Sequence, residues 1–209
     1  MKNVSCRIGV FGGSFDPPHK GHEEAALRFL EGAELDEVLV VPAFLPPHKE
    51  LSAGADAAHR LAMTRLAFLP LSEKISVSEI ETEKKEARYT LSTLLELRER
   101  FPEDELFLYV GSDMLFSFET WHTFERIFSL CTLAVLAREA DEERVREHAA
   151  HLRERYGARI KELGACRTVS STEVREELSR TGTSEKISPA VRSYIQEHAL
   201  YGAVKENFS

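Results

Sequence analysis

The 209-residue chain has only three cysteines and one tryptophan, and no long apolar run. Each scarcity excludes something. Cys6, Cys131 and Cys166 are odd in number and far apart, so they suit neither a disulfide framework nor a CxxC metal or redox pair. Each reads as a small buried apolar residue. No stretch approaches the ~18 consecutive apolar residues of a membrane helix, and the opening MKNVSCRIGVF enters a predicted strand with no signal-peptide cleavage pattern. The expectation is a cytoplasmic protein with no membrane partner. Basic charge is also in short supply: 27 Lys and Arg against 35 Asp and Glu leave a net charge of −8. That balance argues against a nucleic-acid partner held by a basic stripe, and an anionic ligand must then meet a local positive site.

What is present is an ordinary globular composition, 43% hydrophobic and 30% charged, long enough to bury a core as a single domain over residues 1–209. Short β-branched runs alternate with helical periods, which predicts an α/β fold: an open parallel sheet with helices on both faces and a small C-terminal helical part. Predicted strands are Cys6–Phe11, Asp36–Pro42, Ile75–Ile80, Leu106–Gly111 and Cys131–Ala137; only the third alternates, which places it nearer an edge. Ala26, Phe29, Leu30 and Ala33 form one helical stripe, and Ala58, Leu61, Ala62, Leu66 and Leu69 another. Leu91, Leu94 and Leu95 begin a third helix, and the charged span Asp141–Tyr156 a solvated fourth. Ser188-Pro189 supplies a cap and an N1 proline for the last helix, on whose stripe His198 reads as a packed or capping residue.

The chemistry concentrates in IGVFGGSFDPPHKGH, Ile8 to His22. A buried strand ending in Gly12 and Gly13 delivers its loop to the carboxyl edge of the sheet, and these glycines allow close ligand approach or a positive φ. The helix that opens around His19 directs its free amides and positive dipole end to the same spot. His19 and His22, at i and i+3, share one side of its first turn, with Gly21 leaving room. Two imidazoles, first-turn amides and Lys20 or a neighbouring cation make an anion cradle suited to a polyphosphate. Neither GxxxxGK[ST] nor GxGxxG occurs, and no nearby Cys or third clustered His completes a zinc site with the histidine pair.

GGSFDPPHKGH resembles the GxFDxxHxGH signature of the nucleotidylyltransferase superfamily, whose members transfer AMP or CMP from a nucleoside triphosphate to an acceptor. VSSTEVREEL, Val169 to Leu178, is similar to that superfamily's ISSTxxR segment; in physical terms it is a helix start, with Ser170 and Glu173 spaced as a capping box. VPAFLPPHKE, ARYTLSTL, VGSDMLFSFETWHTF and SPAVRSYIQEHALYG extend the resemblance over nearly the whole chain, to bacterial nicotinate-mononucleotide adenylyltransferases.

That resemblance implies a Rossmann-like fold and AMP transfer from ATP, with Mg²⁺ carried on the phosphates and no protein metal site. It makes His19, His22 and Arg175 catalytic. It assigns Gly12, Gly13, Ser14, Phe15, Gly111, Asp113, Arg138, Ser171 and Thr172 to ATP, and His48, Lys49, Tyr89, Thr90, Trp121 and His122 to nicotinate mononucleotide. Trp121 offers the aromatic face suited to a pyridinium ring. The pattern departs from the family at Arg88, where a small residue is usual, and at Arg138-Glu139-Ala140, in place of Arg-Pro-Gly. Other readings are a different acceptor, pantetheine phosphate or nicotinamide mononucleotide, or a non-catalytic nucleotide sensor. A homo-oligomer is compatible with each.

Overall fold

The structure, a computed structural model, describes residues 5–44, 55–84, 88–166 and 169–203. Six strands form one sheet in the order β3-β2-β1-β4-β5-β6. They are β1 (Arg7–Gly13), β2 (Glu37–Pro42), β3 (Ile75–Val77), β4 (Glu105–Gly111), β5 (Thr132–Arg138) and β6 (Ile160–Cys166). β4 pairs in parallel with β1 and with β5, and β5 in parallel with β6. Between and after them run α1 (Lys20–Gly32), α2 (Ala57–Phe68), α3 (Thr90–Arg100), α4 (Ser112–Phe116), α5 (Phe124–Leu130), α6 (Glu142–Tyr156), α7 (Ser171–Thr181) and α8 (Pro189–Glu197). The architecture is an α/β, Rossmann-like parallel sheet whose strand order reverses at β1. Among the described residues, no helix is long and apolar enough to cross a membrane.

The chain divides into two compact units. One comprises Met1–Phe11, Ala25–Leu39 and Tyr89–Arg167. Its core is the run Leu133–Ala137 of β5, all buried, together with the Phe11, Phe29 and Tyr109 rings, whose centroids lie 4.3 to 6.4 Å apart. The other comprises Gly12–Glu24, Val40–Arg88 and Thr168–Ser209, with Phe15, Phe68, Val174, Leu178, Val191 and Ile195 fully enclosed.

Five predicted strands form, and the third lies at the sheet edge but stops at Val77. The sixth, IKELGAC, is absent from the sequence-based expectation: as the other edge strand it is mostly half-exposed, and Lys161, Glu162 and Gly164 interrupt its apolar letters, so no long apolar run betrays it. The stripe expected on α2 is also revised. Leu66 and Leu69 are exposed, whereas Arg60, Met63, Thr64 and Phe68 are buried, because two polar residues occupy the inner face. Cys131 and Cys166 are buried as expected, but Cys6 is exposed, at the end of a strand where the apolar layer has not begun. His198 caps α8, its amide donating to Tyr194 O.

Candidate active site

The carboxyl end of β1 runs into a tight corner in the second unit. Positive φ falls at Phe15 (46°) and at neither Gly12 nor Gly13. Phe15 turns its ring inward, edge-on to His22 and to Phe68 with centroids 5.2 Å away in each case. A Cβ at Gly13 would sit 2.8 Å from that ring, so glycine is needed there to let Phe15 fold back. Phe15 is 1% exposed; it has only its backbone to offer a ligand. A Cβ at Gly12 would meet open space, and Ser14 is half-buried.

His19 immediately precedes α1, and His22 lies in its first turn. Each ring accepts the other residue's backbone amide: His19 N–H donates to His22 Nδ1 (3.3 Å), and His22 N–H is shared between His19 O (2.8 Å) and His19 Nδ1 (3.2 Å). The rings stack with centroids 3.6 Å apart and planes 14° from parallel. A neutral ring accepting at Nδ1 carries its proton on Nε2, so the pairing assigns the tautomer and makes Nε2 a donor. A Cβ on Gly21 would press within 3.2 Å of His19 Nδ1 and of Val169, which explains the glycine between the histidines. Not all first-turn amides are open, since Lys20 N–H donates to Lys186 O at 2.8 Å.

Burial lowers the His19 pKa to about 4, against opposing pulls from a backbone hydrogen bond and the Glu173 charge. His19 is therefore a neutral donor at pH 7, not a cation. In the unfolded chain it would titrate near 6.5, so between 6.5 and 4 the unfolded state binds more protons. The His19 contribution to stability is complete above pH 6.5 and is lost as pH falls to 4, about 3 kcal/mol in all. Urea unfolding of the wild type should show this extra acid loss relative to His19→Asn; identical pH dependences would contradict it.

Against this corner sits the start of α7. Ser170 Oγ caps the helix by accepting Glu173 N–H (3.1 Å), while the Glu173 carboxylate accepts from Lys186 Nζ (2.7 Å). Ser171 Oγ donates to Pro17 O (3.1 Å), Arg175 Nη1 to Asp16 O (2.6 Å) and Arg175 Nη2 to Thr172 Oγ1 (3.1 Å). Two segments more than 150 positions apart in sequence thus meet, and the unit holds His19, His22, Ser171, Thr172 and Arg175 together with Gly12 to Phe15.

Three residues outside the expected set hold the corner. Arg60, 1% exposed, donates to Ser14 O (2.7 Å), Ala43 O (2.6 Å) and Phe44 O (2.6 Å). The Asp16 carboxylate accepts from Ala55 N–H (3.1 Å) and from Tyr201 Oη–H (2.5 Å). Asp16 and Tyr201 lie inside the quoted motifs, whereas Arg60 shows in sequence only as a charge amid the apolar letters of a helix.

The first unit carries the other expected residues that the structure describes. Gly111 caps α4, and Arg138 at the end of β5 donates through Nη2 to Asp113 Oδ2 (3.0 Å). Both side chains are exposed, so the pair contributes orientation more than energy. Despite the missing Pro-Gly, Arg138 is fixed: its N–H reaches Ser112 Oγ (3.4 Å), which donates to Asp141 (2.7 Å). Tyr89, exposed at the head of α3 beside Thr90, lays its ring on His122 with centroids 4.6 Å apart. Trp121 is half-buried, its ring 4.8 Å from Phe118. In the second unit, Arg88 Nη1 donates to Ile80 O (3.2 Å). His48 and Lys49 lie outside the described residues.

The model of the family described as Cytidylyltransferase-like matches residues 10–177. A protein of Neisseria meningitidis serogroup C named "Probable nicotinate-nucleotide adenylyltransferase" is 38% identical over 93% of this chain and 98% of its own. One of the same name from Exiguobacterium sibiricum is 37% identical with the same coverage. The Plasmodium falciparum nicotinic acid mononucleotide adenylyltransferase complexed with NaAD shares the fold, with a TM-score of 0.75 at 21% identity over 96% of this chain and all of that one. With both motifs in one unit, a family model spanning most of its length and relatives matched nearly end to end, the chain belongs to the cytidylyltransferase-like family, among the nicotinate-nucleotide adenylyltransferases.

Proposed function

We propose that this chain transfers AMP from MgATP to nicotinate mononucleotide, giving nicotinate adenine dinucleotide and pyrophosphate in NAD biosynthesis, as a single cytoplasmic domain. The observation that carries the reading is the seating of Ser171 and Arg175 on the Asp16–Pro17 backbone beside the stacked histidines. That corner can grip one triphosphate from two sides.

An oxygen of the acceptor 5′-phosphate attacks the ATP α-phosphorus in line; the new P–O bond forms as the bond to the bridging oxygen breaks, and pyrophosphate leaves with the electron pair. The acceptor phosphate is already ionised, so no general base is required. What the protein supplies is position and charge stabilisation. His19 and His22 donate from Nε2 to the α- and β-phosphates, His19 as the neutral imidazole that its burial makes it. Arg175, with donors to spare beyond those given to Asp16 and Thr172, steadies the departing pyrophosphate, and the Ser171 and Thr172 amides leave α7 at its positive end. Mg²⁺ enters with the substrate, chelated by phosphate oxygens. In the first unit, Gly111, Asp113 and Arg138 serve ATP; the Tyr89–His122 pair with Thr90 serves the nicotinate carboxylate, and Trp121 the pyridinium ring.

Pyrophosphate release from ATP with a panel of acceptors tests this. Turnover should be fastest with nicotinate mononucleotide and much slower with nicotinamide mononucleotide or pantetheine phosphate. Preference for either of those would reassign the acceptor, and ATP binding without release for any of them would leave a nucleotide sensor.

A further inference from the structure

The chain around Tyr201 is held in an unfavourable backbone conformation. Ala199 and Tyr201, neither of them glycine, adopt φ of 50° and 56°, a region that costs a bulky residue energy and persists only where its surroundings enforce it. What the conformation achieves is a hydrogen bond across 185 positions: the Tyr201 hydroxyl reaches Asp16 Oδ1 at 2.5 Å. Burial first, then the charge of Asp16, raise the pKa of this phenol, so the hydroxyl keeps its proton and donates while the carboxylate accepts. The same Asp16 offers its main-chain carbonyl to Arg175 Nη1. A continuous relay thus runs from phenol to carboxylate to backbone to guanidinium. Packing alone would be met by phenylalanine; the hydroxyl serves only the relay.

We propose that Tyr201 is a positioning residue for nucleotidyl transfer, fixing the Asp16 peptide so that Arg175 is seated for the leaving pyrophosphate. The inference rests on the adenylyl-transfer reading given above. Tyr201 touches no substrate; it acts through Asp16. Without the hydroxyl the Asp16 side chain keeps only the longer bond from Ala55 N–H, and the Arg175 fork then loses part of its fixed origin.

A double-mutant cycle decides it. Tyr201→Phe should lower kcat about tenfold with the KM for ATP changed by no more than about twofold, since the seating of Arg175 matters most as charge builds on the leaving group. In an Arg175→Ala background the same change should cost almost nothing further. Asp16→Asn, which keeps an acceptor facing the phenol, should retain far more activity than Asp16→Ala. An unchanged kcat in Tyr201→Phe, whatever happens to its Tm, would overturn the proposal, as would an equal loss in both backgrounds. Should the wild type release no pyrophosphate with nicotinate mononucleotide, the functional reading falls by itself. The cycle is then read on the Kd for MgATP, where coupling between Tyr201 and Arg175 supports the relay and additivity refutes it.

Discussion

Replacing His22 with alanine should lower kcat by about 10²- to 10³-fold, the cost of removing one preorganised donor aimed at developing charge. The magnitude follows from how the pair is built. Each imidazole has its Nδ1 occupied by the other residue's amide, so neither ring is free to turn, and the two Nε2 atoms are presented in a fixed relation by the stack. His22→Ala therefore removes a donor, strips the His19 amide of its side-chain acceptor and takes away the ring stacked on His19. It follows that His19→Ala and His22→Ala are not additive: the double variant should be little worse than the poorer single one. Steady-state kinetics on folded protein, with thermal melts as the control, reads both effects. A near-normal kcat in a folded His22→Ala enzyme would remove the pair from the mechanism.

Arg60→Ala should destabilise the protein by about 3 kcal/mol or more, a loss measurable by urea unfolding. The guanidinium satisfies carbonyls of Ser14, Ala43 and Phe44, and acceptors stranded in the interior cost roughly 1–3 kcal/mol each. Among the described residues no carboxylate lies within ion-pair distance of it, although the charges of Asp16 and Asp56 act on it against the desolvation that lowers its pKa. It stays charged, because an arginine does not deprotonate in a protein, and it joins the segment after β1 to the segment after β2. Lysine cannot substitute, having a point charge where a planar fork spans several acceptors. Arg60→Lys should therefore recover little, and a loss below about 1 kcal/mol in Arg60→Ala would show the carbonyls find other partners.

The parts of this molecule readable in its sequence are those where one residue type has one physical use. The runs of β1, β2, β4 and β5 are continuously apolar because both faces are covered, and each forms a strand within two residues of its predicted bounds. The paired histidines stand out because such a cluster after a strand and glycines has few other uses. Legibility fails where polar letters do buried work. Arg60 and Thr64 face inward on α2 while Leu66 and Leu69 face out, so hydrophobic periodicity points to the wrong stripe. β6 pairs only with β5 and shows the mixed letters of an exposed edge. The capping box at Ser170 forms by half, since the Glu173 carboxylate is drawn to Lys186, a partner that local spacing cannot reveal. The charge state of His19 is likewise unreadable, because it depends on the 3% exposure the fold imposes.

A crystal structure of the chain with a non-hydrolysable MgATP analogue bears most directly on the whole reading. The HxGH corner and the head of α7 should be found on the same triphosphate, with Nε2 of His19 or His22 and a donor from Ser171, Thr172 or Arg175 within hydrogen-bonding distance of its oxygens. A triphosphate bound by one segment and out of reach of the other would contradict the account.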